Sequence, residues 1–140
     1  EYVKACYDPE DGSFRYSLAM NQRQSSFALT AAALSVLIFA GEYDAEEIQG
    51  GLKYMRLGMS SRGSRGRGGH YFYENFYATL AMYNVGGPDW AQWFPRIREE
   101  LIRTQRPDGS WQNEYCPSYC TAFATLILQV PARYLPIFQR

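Results

Sequence analysis

A chain of 140 residues is long enough for one domain with a sizeable core. Its fourteen basic and fourteen acidic residues cancel, so no global field draws it to nucleic acid or to an anionic membrane. Aromatic residues make up 16% of the chain, with twelve Tyr, eight Phe and three Trp, enough to line a cavity as well as fill a core. The longest apolar run, Phe27 to Ala40, falls short of the roughly 20 residues that cross a bilayer. Residue 1 is Glu, so the segment reads as part of a longer chain and its localisation stays open.

Residues 1–6 read as the end of a helix, followed by a turn at Asp8-Pro9-Glu10-Asp11-Gly12-Ser13-Phe14. Residues 25–40 read as a helix with Ser at the cap and Gly41 at the stop, apolar or small all the way round and therefore buried on every side. The next helix, 44–57, takes Asp44 as its cap, with Glu46 and Glu47 early and Lys53 and Arg56 late, as the helix dipole prefers. Its apolar positions Ile48, Leu52 and Met55 fall on one side only, so it lies outside.

Gly58 to Gly69 is a flexible basic loop carrying Arg62, Arg65 and Arg67; Arg65 and Arg67 are candidates for the anion-binding rim of a cavity. A helix over 70–83 is rich in aromatics on every side and is ended by Gly86-Gly87-Pro88. Asp89 then caps an amphipathic helix over 89–105, carrying Trp90, Trp93, Phe94, Ile97 and Leu101, which Pro95 kinks or restarts. Gln105-Arg106-Pro107-Asp108-Gly109-Ser110-Trp111 has the turn chemistry of the first turn again, with Gln105 and Trp111 set to stack or hydrogen-bond across it. A third mostly apolar helix covers 119–130, and the Pro-interrupted tail Arg133 to Phe138 reads as an extended strap.

Helices buried on all sides thus alternate with one-sided helices. Taking Ala31, Thr79 and Ala124 as mid-helix points gives spacings of 48 and 45 residues, a period of one helix pair. An inner layer of helices within an outer layer follows. HEAT and armadillo solenoids share the period, but the inner helices here are apolar all round rather than striped.

The two Gly-Ser-aromatic turns resemble the Gln-Trp repeat of the terpenoid cyclases and protein prenyltransferase β subunits. The resemblance implies an all-α fold, an α/α toroid of which this chain supplies about three inner and outer helix pairs as one domain over residues 1–140. Closed toroids of this family hold more pairs, and the Pro-rich end makes this the C-terminal part. The uncovered inner face then meets the rest of a longer chain or a second copy. The implied function is binding of an apolar, isoprenoid ligand on an aromatic inner face.

Ligand-binding candidates at the cavity mouth and inner face are His70, Tyr71, Tyr73, Glu74, Tyr77, Tyr115, Tyr119 and Cys120. No catalytic residue is assigned, because the cyclase acid motif Asp-x-Asp-Asp is absent from this segment. Cys120 stands where prenyltransferases place a zinc-binding Cys, but Ser118 replaces the Asp of that motif and His70 lies about one turn early, so neither metal nor cofactor is expected. Two alternatives remain: a non-catalytic protein-interaction module, and a polysaccharide lyase or glycosidase with Glu74 and Glu114 as its carboxylates. Thioester-containing complement-like domains share the toroid, but their Gly-Cys-Gly-Glu-Gln is absent here.

Overall fold

Six α-helices account for the regular structure among the described residues, which in the computed structural model are 1–19, 25–61 and 70–133. The fold is all-α. Two compact units divide the chain, Glu1–Gly66 and Arg67–Arg140.

In the first unit, α1 (Tyr2–Ala5) leads into the Asp11-Gly12 turn, followed by α2 (Phe27–Phe39) and α3 (Glu46–Ser61). Asp11 accepts the amide of Ser13 at 2.8 Å and Gly12 takes φ 82°, where an L side chain is strained. A side chain at Gly12 would also run into the backbone of Gly50 in α3. Phe14 is buried, pairing with Tyr7 across an isolated antiparallel bridge. Asp8, also buried, accepts from Arg15 at 3.0 Å, which answers the charge that burial would otherwise leave exposed to a low dielectric.

Ser26 caps α2 by accepting the Leu29 amide at 3.2 Å. The other end closes on Gly41 at φ 86°, with Gly41 N–H reaching Ile38 and Glu42 N–H reaching Leu37, both at 3.0 Å. That pattern satisfies two terminal carbonyls at once. Burial of α2 is not all-round as its composition predicts: Val36 is 50% and Phe39 is 44% exposed, and Leu29, Ala32 and Ala33 on the same stripe are only half-buried or less well covered than the rest. Helix α3 packs Ile48, Leu52, Met55 and Met59 inward. It differs from expectation at both ends. Its first bonds run to the carbonyl of Ala45, so Asp44 is not the cap, and it continues to Ser61, leaving Lys53 and Arg56 in mid-helix.

The second unit contains α4 (Tyr71–Val85), α5 (Gly87–Thr104) and α6 (Pro117–Gln129), closed by a 3₁₀ turn over Val130–Ala132. Both α5 and α6 pack against α4, and α5 also meets α6. A single residue, Gly86 at φ 73°, ends α4 and starts α5. Pro88 and Asp89 therefore sit in the first turn of α5, and Asp89 is not its cap. Helix α5 continues through Pro95, which is exposed, instead of restarting there. Trp93, Ile97 and Leu101 form its buried stripe.

A buried polar chain fastens α5 to α4. The indole of Trp93 donates to the hydroxyl of Thr79 at 3.0 Å, that hydroxyl donates to the Asn75 carbonyl at 2.6 Å, and the Asn75 amide donates to the Tyr71 carbonyl at 2.7 Å. Buried polar groups joined in this way fix the rotation of one helix on another.

The second turn shares with the first its Ser amide–Asp bond and its glycine conformation. Asp108 accepts from the amide and hydroxyl of Ser110 at 3.0 and 2.7 Å, and Gly109 takes φ 82°. Gln105 and Trp111 do not pair as expected. Gln105 donates to the Gly109 carbonyl at 2.9 Å, while the Trp111 indole donates to the Leu101 carbonyl at 2.9 Å. Leu101 lies in the last turn of α5, where carbonyls lack helical partners, so the indole acts as a C-terminal cap.

Helix α6 starts two residues earlier than expected because Pro117 occupies its first position, where no N–H is needed. Only Cys120, Ala124 and Ile127 of α6 are buried, so this helix too is one-sided rather than covered all round. The three mid-helix points Ala31, Thr79 and Ala124 are each 0% exposed. Arg133 takes φ 56° after the 3₁₀ turn and its Nε donates to the Tyr83 hydroxyl, anchoring that end of the unit to α4. The expected strap beyond Arg133, like the loop residues Arg65 and Arg67, lies outside the described residues.

Candidate functional site

One-sided burial of α6 and the tether of α4 to α5 leave a shared face on α4 and α6 in the second unit. Tyr73, Phe76 and Tyr77 lie on α4 at spacings that put them on one side of the helix. All three are half-buried. Tyr119 and Phe123, four residues apart on α6, are half-buried as well, and Tyr115 in the preceding loop is exposed.

The six rings form one continuous series. Tyr73 meets Tyr77 with centroids 4.7 Å apart, and Tyr77 meets Phe76 edge-on at 5.3 Å. Phe76 crosses to Phe123 at 5.2 Å, Phe123 meets Tyr119 at 4.8 Å, and Tyr119 meets Tyr115 at 5.0 Å. Tilted and edge-to-face pairs at these distances suit the ring quadrupoles and stabilise by about 0.5–1.5 kcal/mol each beyond burial. Phe76, Tyr77, Trp90 and Leu126 also pack on a buried cluster of Leu80, Tyr83 and Val130, so part of the series rests on the core.

Two phenols of this face, Tyr73 and Tyr119, ionise less readily than an ordinary tyrosine. Partial burial pushes the Tyr73 hydroxyl above its ordinary value, with Tyr77 adding to the effect. Burial likewise raises Tyr119, reinforced by Tyr115, Cys120, Tyr73 and Tyr77. Neutral hydroxyls donate and accept hydrogen bonds, and neither α4 nor α6 carries a Lys or Arg. The face therefore offers apolar ring surfaces with a few polar tips.

Of the residues singled out from sequence, Tyr73, Tyr77, Tyr115 and Tyr119 come together here. His70 is exposed just before α4, its ring edge-on to Tyr73 at 6.5 Å, so it flanks the series at one end. Glu74 is half-buried in the first turn of α4, its amide bonded to the His70 carbonyl at 2.8 Å. Tyr71 is buried edge-on against Phe72 at 5.0 Å and belongs to the core. Cys120 is wholly buried beneath the face, its thiol donating to Asn113 Oδ1 at 2.9 Å. Asn113 also accepts the Tyr115 amide at 2.9 Å, so this one side chain holds both Cys120 and the loop carrying Tyr115.

Asp108 is engaged in its turn, where the bonds from the Ser110 hydroxyl and amide hold its carboxyl below the usual range. Glu114 is exposed. All three cysteines are free thiols, with Cys116 exposed and Cys6 buried. Among the described residues no three His, Cys, Asp or Glu side chains gather in a group fit for a metal ion. Among the same residues no helix is long and apolar enough to cross a membrane.

Phe76 and Phe123, the rings that join the two helices, were not among the sequence-derived site residues. Helical spacing contains the signal, since Phe76 follows Tyr73 by three and Phe123 follows Tyr119 by four. Compared with protein-family models, curated proteins and solved structures, the chain finds no match.

Proposed function

We propose that this chain is a repeat segment of an α/α toroid of the terpenoid cyclase and prenyltransferase type, and that it binds an apolar isoprenoid ligand on the aromatic face of α4 and α6. The observation that carries the reading is the unbroken series of six half-buried or exposed rings from Tyr73 to Tyr115, bridged at Phe76 and Phe123. A branched, unsaturated hydrocarbon matches such a face because its methyl and methylene groups lie against ring surfaces. At about 0.8 kcal/mol per buried methylene, each isoprene unit contributes about 3–4 kcal/mol before ordering is subtracted.

Two further observations support the toroid part. The Asp-Gly-Ser-aromatic turn recurs with the same bond from the Ser amide to the Asp carboxylate and the same glycine conformation. Helices α4 and α6 also lie side by side with α5 packed on both, as inner and outer helices would. The proposal is for binding, with no reaction assigned to this segment.

Native mass spectrometry of the protein after mild purification tests the reading. Retained polyprenyl lipid, or retention of added polyprenol, is the expected result. Absence of both would remove the isoprenoid reading.

The exposed Val36 and Phe39 on α2 favour a second reading in the first unit, a face that docks another protein. Crosslinking from a photoreactive residue at position 36 tests it, and recovery of uncrosslinked chain alone would dismiss it.

A further inference from the structure

The chain carries both an electron-rich face and a cationic segment that matches it. Residues 70–85 and 111–130, which supply the six rings, contain Glu74 and Glu114 and not one Lys or Arg. Residues 58–69 contain Arg62, Arg65 and Arg67 and no acid. We propose that the aromatic face of α4 and α6 docks the arginine–glycine segment 62–69 of a second copy of this chain.

Ring faces carry negative quadrupole potential, and a guanidinium stacks on them more effectively than a compact ammonium does. Spacing agrees with this pairing. An extended chain reaches about 3.3–3.6 Å per residue, so arginines two and three residues apart reach about 7 and 10 Å along it. Successive ring centroids stand 4.7–5.3 Å apart, which places alternate rings at most about 10 Å from one another. Glycines between the arginines keep side chains from blocking close approach. Since one chain holds both halves of the contact, two copies can exchange segments reciprocally, as a two-fold interface requires. This goes beyond the isoprenoid reading and does not rest on it.

Sedimentation velocity over a concentration series, paired with titration of a labelled peptide of residues 61–69, tests the proposal. The expected result is concentration-dependent dimerisation and saturable peptide binding. Replacing all three arginines by Lys keeps the charge and removes planar stacking, and is expected to weaken both by about tenfold. Tyr77→Leu and Tyr119→Leu should weaken peptide binding by a similar factor. Equal binding by the Arg and Lys peptides would reduce the effect to simple charge attraction and overturn the proposal, as would a peptide that does not bind. A chain that stays monomeric while the free peptide binds would overturn the second-copy contact. The Lys comparison requires no change to the folded face, so it stands even if a Tyr variant fails to fold. Polyprenol retention by the triple Lys chain should be undiminished, because the same rings then meet less competition from the arginine segment, which separates failure here from failure of the isoprenoid reading.

Discussion

The backbone amide of Trp111 donates to the hydroxyl of Thr121 at 3.1 Å, tying the turn after α5 to the first coil of α6. Phe14 stands in the same relation to Thr30 of α2, again at 3.1 Å. In both places the aromatic is buried and its amide, which no helix or strand satisfies, finds a threonine on the helix ahead. Thr30→Val and Thr121→Val should each destabilise by about 1–3 kcal/mol, the cost of a buried amide left without an acceptor. The loss should be larger at Thr30, which is fully buried, than at Thr121, which is not. Denaturant midpoints of the two variants check this, and no change at Thr30 would deny the amide any role in holding the turn.

Trp111 adds bulk and a hydrogen bond at once, since it is 3% exposed and its indole caps the Leu101 carbonyl. Trp111→Ala should cost about 3–5 kcal/mol, as truncation of a buried large aromatic does. Trp111→Phe should cost less, retaining most of the packing and losing the cap. A loss below about 1 kcal/mol for the alanine variant would show that the turn does not wedge α5 and α6 together.

Thr79 is the junction of the polar chain between α4 and α5, accepting from Trp93 and donating to Asn75. Thr79→Val preserves shape and strands the Trp93 indole, so it should destabilise by about 1–3 kcal/mol. Trp93→Phe in that background should recover part of the loss, because both polar partners are then gone. Unfolding of the single and double variants forms a thermodynamic cycle, and strict additivity would mean that the indole and hydroxyl do not act together.

The all-α character and the approximate helix positions were legible because they rest on local chemistry. Ser26 and Gly41 bound α2 as cap and stop, and the Asp-Gly turns adopt the geometry that their residues demand. Burial was less legible. Apolar composition led α2 and α6 to be read as covered on all sides, yet Val36, Phe39 and one side of α6 lack cover among the described residues. An apolar residue states what it would gain by burial, not whether a neighbour is there. Caps failed for a related reason: Asp44 and Asp89 are good capping types, but backbone geometry at Ala45 and Gly86 decides where the helices begin. At the site, Tyr73, Tyr77, Tyr115 and Tyr119 were singled out from sequence; helical spacing places Phe76 and Phe123 on the same faces, but that these two rings meet across α4 and α6 is a lateral contact no local pattern contains.

Alkaline titration follows from the raised values of Tyr73 and Tyr119. Stability from keeping these phenols neutral is fully present below about pH 10, the ordinary tyrosine value. It is lost as pH rises through their raised native values. Phenolate absorbance should show late-ionising tyrosines that disappear in Tyr73→Phe and Tyr119→Phe, and those variants should unfold less steeply with rising pH. Identical titration curves for parent and variants would contradict the burial of these hydroxyls. Asp108 works in the opposite sense. Its contribution is present above about pH 4 and fades as pH falls through its lowered native value.

The measurement that bears most directly on the account is the affinity of a fluorescent polyprenol analogue for the parent chain and for Phe123→Ala, which interrupts the ring series at its bridge. Phe123 is half-buried, so its helix should survive the change by circular dichroism. The account predicts saturable binding to the parent and a loss of about tenfold or more, about 1.4 kcal/mol, in the variant. Equal affinity in the two, or no binding to either, would contradict the claim that the α4–α6 aromatic face is a ligand site.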